Sequence, residues 1–262
     1  ESNMHILEQK IRNARAEGRM ALVPFIPAGF PSPERFRAAV EDLDAHGADI
    51  IEIGIPFSDP VADGPAAEEA CRRALASGVT PRGILKELRA RAEKLQAGLA
   101  LRGYMNSILQ YGPENFAKDA ADAGVTGCVI PDVPLEESGE LRGTLGAWGI
   151  ALIPLVGQNT TEERMREYAA VTEGFVHVVS VMGAAGAHEG ISPQVPHTLR
   201  RARAAFSLPL ALDFGPGSPE QPQAMPEDLR PDAAVFGPAL LRHIDAGRSA
   251  GEFLDAWRCL YF

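Results

Sequence analysis

Eight short apolar runs, each followed by a stretch of helical character, restrict this chain's fold more than any other feature. They fall at residues 21–26, 49–53, 99–104, 127–130, 151–155, 175–180, 210–214 and 233–236. Runs of this length, rich in Val, Ile and Leu, read as strands buried on both faces. Strands alternating with helices predict βα units and a parallel sheet. Eight such units in 262 residues fit a single (β/α)8 TIM barrel. A doubly wound open sheet is the alternative, and the strand count argues against it. Helix punctuation supports the repeat. Ser32 precedes Pro33-Glu34-Arg35 as an N-cap, and Thr160 precedes Thr161-Glu162-Glu163 in the same way. The segment 114–123 stops at Gly124. No linker or low-complexity stretch divides the chain, so residues 4–262 read as one barrel domain. Glu1-Ser2-Asn3, ahead of Met4, read as a cloning remnant.

Charge and cysteine usage narrow the partners. A net charge of −10 opposes nucleic acid and anionic membranes, although it leaves room for a local anion site. Cys71, Cys128 and Cys259 lie far apart with no CxxC pair. They read as reduced thiols of a cytoplasmic protein, with no zinc site. Cys128, inside an apolar run, reads as a small core residue. No apolar stretch approaches the length of a membrane span, and the N-terminus shows no signal-peptide pattern. Neither a metal nor a cofactor is expected.

The chemistry concentrates at residues 49–65. Glu52 interrupts the second apolar run near its end, and a buried carboxylate is costly unless paired, protonated or used. The Pro- and Gly-rich loop that follows carries Asp59 and Asp63. The ordinary reading is a Glu paired with an internal Lys or Arg, plus two turn aspartates. The functional reading is acid–base chemistry, which a barrel of this kind carries out at the C-terminal ends of its strands. That zone also holds Phe25, Tyr104 and Phe214, which read as ring-binding walls or as core packing. Arg102 stands two residues before Tyr104, so alternation points both toward the mouth. There Arg102 would pair with Glu52 or Asp63, lowering the Glu52 pKa, or bind an anion; alternatively it snorkels outward. Barrels often hold phosphate on backbone N–H groups of the last loops. Gly186, Gly215 and Gly237 follow the sixth, seventh and eighth runs.

The segment GIPFSDPVADGP, residues 54–65, resembles the signature loop of the tryptophan synthase alpha subunit family. The resemblance runs from Leu22-Val23-Pro24-Phe25 to Gly237-Pro238-Ala239-Leu240. It implies retro-aldol cleavage of the phosphate ester indole-3-glycerol phosphate to indole and glyceraldehyde 3-phosphate. It also implies roles. Glu52 is the acid–base group at the scissile bond, and Asp63 binds the indole N–H and stabilises positive charge on the ring. Phe25, Tyr104 and Phe214 line the ring pocket, and Gly186, Gly215 and Gly237 form the phosphate cup. An alpha2beta2 assembly with a beta subunit is implied too, with Pro56, Phe57, Asp59 and Pro60 and the segment Asp132-Val133-Pro134 at the interface. The family's beta subunit carries pyridoxal phosphate; nothing in this chain suggests a site for it. The chain departs from the family pattern at Arg102, His177, Val181, Ala185, Asp213 and Pro238. Pro238 replaces a serine and removes both a backbone N–H and a hydroxyl. Two further readings are a barrel lyase with a changed substrate and a non-catalytic regulator of a beta subunit.

Overall fold

Alternation along the apolar runs sorts side chains into two cores. One lies inside a closed sheet and the other lies between the sheet and the helices around it. The computed structural model describes residues 4–180, 192–215 and 217–258. Its strands are β1 (Ala21–Pro27), β2 (Ile50–Gly54), β3 (Gly98–Arg102), β4 (Val125–Val129), β5 (Ala151–Leu152), β6 (Leu155–Val156), β7 (Val176–Val178), β8 (Leu210–Asp213) and β9 (Ala233–Phe236). All pairings are parallel, in the order β5-β4-β3-β2-β1-β9-β8-β7-β6. The two ends of that sheet are halves of one run, split at Ile153-Pro154. Proline has no N–H to give a ladder, so the pairing breaks there. The chain still bridges the gap. Ile153 N–H donates to the Cys128 carbonyl of β4 at 2.8 Å, and His177 N–H of β7 donates to the Pro154 carbonyl at 3.0 Å. The eight runs therefore close into a (β/α)8 barrel, and the ninth strand is a consequence of the proline.

The helices are α1 (Ile6–Ala16), α2 (Pro33–Ala45), α3 (Pro65–Ala76), α4 (Pro81–Arg89), α5 (Met105–Tyr111), α6 (Pro113–Asp122), α7 (Gly139–Gly146), α8 (Glu162–Ala169), α9 (Val195–Ala205), α10 (Glu220–Gln223), α11 (Pro238–Asp245) and α12 (Ala250–Arg258). Proline opens α2, α3, α4, α6 and α11, where its fixed φ suits the first turn and its missing N–H leaves nothing unpaired. Ser32 caps α2 by accepting from Arg35 N–H at 3.3 Å. The cap of α8 is Thr161, not Thr160: Thr161 accepts from Arg164 N–H at 3.1 Å. Thr160 is occupied one turn earlier, where its hydroxyl accepts from Gly157 N–H at 2.9 Å.

The inner core holds Val23, Ile50, Ala100, Val129, Ala211 and Val235 from the strands and Phe175 just before β7, with Leu7, Ile11 and Ala14 from α1. α1 thus plugs the floor of the barrel. Gly98 and Gly127 make room for it, since a Cβ on either would lie 2.7 Å and 2.6 Å from the Leu7 methyls. Cys128 is fully buried on the outer face, and its apolar setting pushes the thiol up to about 12. With the floor sealed, only the C-terminal ends of the strands remain for chemistry.

Candidate active site

Glu52 reaches the barrel interior because β2 alternates, with Ile50 and Glu52 on the inner face and Ile51 and Ile53 on the outer. Its register partners are Phe25 on β1 and Ala100 on β3. It is fully buried, and neither carboxylate oxygen has a hydrogen-bond partner. The nearest cation is Arg102, whose Nε lies 2.7 Å from Oε1. That N–H is not aimed at the oxygen, so the contact is an ion pair without a directed hydrogen bond. The pairing was expected to hold the Glu52 pKa low; burial outweighs it. Desolvation pushes the carboxyl up, Arg102 pulls it down, and the charges of Asp213 and Asp63 push it up again, for a net rise.

Tyr104 holds the loop that carries Asp63. It stands just past β3, at the N-cap position of α5. Its hydroxyl accepts from Ala62 N–H at 3.0 Å and also bonds the Asp63 carboxylate. Phe57 stacks on the Tyr104 ring with centroids 5.2 Å apart. Burial raises the Asp63 carboxyl while Arg102 and Tyr104 pull it down. Asp63 is only half-buried, so water reaches it as it does not reach Glu52.

Phe25 forms one wall of the mouth, and its ring is fixed by what surrounds it. A Cβ on Gly54 would lie 3.0 Å from the ring, and one on Gly237 would lie 2.9 Å from it. The Arg102 guanidinium sits over the ring, 5.0 Å from its centroid. Gly237 therefore has a packing reason to be glycine besides any phosphate contact. Phe214 follows the core-packing reading. Its ring packs on Trp257 of α12, 5.6 Å between centroids, in the layer between sheet and helices. Alternation explains this, since the residue of β8 that faces the mouth is Asp213.

Asp213 ties the departures from the family pattern together. Its carboxylate accepts from Gly215 N–H at 2.7 Å. Its other oxygen lies 3.9 Å from Nε2 of His177 on β7. His177 is fully buried and kept neutral, because burial and the Arg102 charge both lower its pKa. Arg102 Nη2 lies 3.4 Å and 3.5 Å from the two nitrogens of that imidazole, so it packs against the ring as much as it bonds to it. Burial likewise raises the Asp213 carboxyl against the pull of Arg102 and Gly215, although 26% of the side chain remains exposed. The sequence flagged Arg102, His177 and Asp213 singly. The signal that joins them is parity, since each sits on the inward phase of its strand.

The expected partner-facing residues divide. Asp59, Asp132 and Pro134 are exposed, Phe57 and Pro60 are half-buried, and Pro56 is buried and so unavailable to a partner surface. Asp132 accepts from Met105 N–H at 3.0 Å and caps the start of α5. Behind it lies a cavity of about 250 Å³ lined by Asp132, Pro134, Arg142, Pro154 and Tyr168, apart from the buried acids. Val181, Ala185, Gly186 and Cys259 lie outside the described residues. Among the described residues no cluster of His, Cys, Asp or Glu could hold a metal ion, and no helix is long and apolar enough to cross a membrane.

A closed parallel barrel with three raised carboxyls at the mouth defines a (β/α)8 enzyme of the acid–base type. The sequence profile described as tryptophan synthase alpha chain matches residues 11–257. The tryptophan synthase alpha chain of Desulfovibrio desulfuricans is 58% identical over 255 residues, covering 97% of this chain and 100% of its own length. That of Nitratidesulfovibrio vulgaris is 58% identical over 251 residues, covering 96% and 97%. Among solved structures, Mycobacterium tuberculosis tryptophan synthase superposes with a TM-score of 0.87 at 28% identity, over 98% of each chain. The tryptophan synthase alpha chain of Legionella pneumophila gives 0.84 at 29% identity, over 98% and 97%. The chain belongs to the tryptophan synthase alpha chain family.

Proposed function

We infer that this chain is the subunit that cleaves indole-3-glycerol phosphate, with Glu52 as acid–base group and Asp63 as its electrostatic partner. The observation that supports this best is Glu52 itself. A fully buried carboxyl with no hydrogen bond to either oxygen is a poor structural element and a good proton donor. Its pKa, raised above the ordinary carboxyl range by burial, favours the protonated form that a donor needs. Delivered to the ring carbon at the scissile bond, that proton makes the indole a leaving group. The Glu52 carboxylate so formed takes the proton of the neighbouring glycerol hydroxyl. The carbon–carbon bond then breaks to give indole and the aldehyde, and Glu52 ends protonated as it began. Asp63, closer to water and bonded by Tyr104, accepts the indole N–H and stabilises the transient positive charge on the ring. No cofactor enters the proton balance.

The reading extends to a partner and a place. The exposed Asp59, Asp132 and Pro134, beside the mouth, suit a beta subunit that receives indole, and the cytoplasm suits a chain of this composition. The test measures indole release from indole-3-glycerol phosphate by wild type and Glu52→Gln, each with and without a beta subunit. Cleavage by wild type and a loss of about 10²–10⁴-fold in the variant is the expected result. Equal rates in the two proteins would remove Glu52 from the mechanism.

A further inference from the structure

The loop after β8 lies where barrels of this kind hold phosphate on backbone N–H groups. Gly215 stands there with φ +55, and no described residue lies within 4 Å of where its side chain would be. Among the described residues nothing crowds that side of Gly215, and yet its N–H already has an acceptor. The acceptor is Asp213, two residues earlier, at 2.7 Å. A carboxylate oxygen on this N–H takes the position that a phosphate oxygen would take. The side chain is 26% exposed, so it reaches the mouth.

We propose that Asp213 is a built-in occupant of the phosphate site, which a substrate's phosphate must displace from the Gly215 N–H before it can bind. This rests on the lyase reading above. Asp213 is here a positioning residue: it touches neither the scissile bond nor the ring. Displaced, it has somewhere to go. His177 stands 3.9 Å away, and Arg102 lies beyond it against the same imidazole. The charged and titratable groups that face Asp213 are Arg102 from β3, Glu52 from β2, Asp63 from the loop after β2 and His177 from β7. Arg102 is the one cation in that set, and the two other carboxyls add to the opposition a phosphate dianion meets.

The probe is glycerol phosphate, titrated into wild type, Asp213→Asn and Asp213→Gly from pH 5.5 to 8. Both variants should bind it at least about tenfold more tightly at pH 8, the worth of a contested hydrogen bond to a charged group. The advantage should shrink as pH falls, because protonating Asp213 in wild type removes the competing charge. The phosphate's own titration acts in the same direction, since Asp213 opposes a monoanion less than a dianion. KM for indole-3-glycerol phosphate should fall in both variants. A residue that only supports the loop would raise KM when replaced and leave the ratio flat across pH. Equal affinities, or a ratio that ignores pH, in a wild type that still cleaves its substrate overturns the proposal and leaves the lyase reading standing. No cleavage and no glycerol phosphate binding in any of the three overturns both.

Discussion

At the scale of single residues, the site is a competition for one cation. Arg102 serves Glu52 by contact and Asp63 and Asp213 by charge, and all three carboxyls still sit above their usual range. Removing Arg102 should let burial act unopposed on Glu52. In Arg102→Leu the basic limb of kcat/KM, where Glu52 loses its proton, should move to higher pH than in wild type; a limb that stays put would mean the ion pair does not reach the mechanism. The same shift has a sign for stability. Glu52 holds its proton to higher pH folded than unfolded, so the folded state binds more protons in that window. Stability therefore falls as pH rises from the ordinary Glu range through the raised value. Glu52→Gln cannot titrate, so wild type should lose stability relative to it as pH rises above about 4.5. Thermal melts of both proteins across that range check the slope, and parallel curves would contradict the shift. Gly237→Ala would place its methyl 2.9 Å from Phe25 and push the ring into the mouth, so KM should rise several-fold with the fold intact. Legibility at this scale followed parity. Glu52 and Arg102 were readable because one alternating phase carried them to the mouth. Phe214 stayed open between ring wall and core packing, because no composition or motif reveals which of two adjacent residues faces inward; here Asp213 holds that phase.

At the scale of elements, proline and glycine wrote most of the boundaries. Five helices open on proline, and Ser32, standing alone before the first of them, was visible as a cap. Two adjacent threonines defeated that rule at α8, since both hydroxyls can cap and only the turn geometry assigns them. Ser32→Ala should cost about 1 kcal/mol, read from denaturant midpoints, because Arg35 N–H loses its only side-chain acceptor. The floor plug was not legible at all. α1 precedes the first strand, and nothing in its pattern says that it turns under the barrel, yet the bare backbones of Gly98 and Gly127 are shaped around Leu7. Leu7→Ala should therefore cost about 2–5 kcal/mol, as a cavity in a rigid inner core with no flexible neighbour to fill it. A loss under 1 kcal/mol would mean that α1 merely covers the floor.

At the scale of the whole molecule, the eightfold repeat made the barrel readable from the sequence, and its closure is where the structure added something. The seam is one run of six residues, with two paired positions on each side and a proline between them. Every other strand shares at least three positions with a neighbour, so the ring has one narrow join. Amide exchange in the native state should report this. Ile153 and His177, whose bonds span the join, should exchange through openings well below the free energy of global unfolding, while the amides of β1 and β2 wait for it. Equal protection around the ring would deny the join any weakness of its own. If the join does open first, the barrel behaves as a clasped bracelet rather than a solid hoop. The clasp lies on β4 and β7, and β7 carries His177, so a loosening there would reach the charges around Asp213 before it reached Glu52 on the far arc.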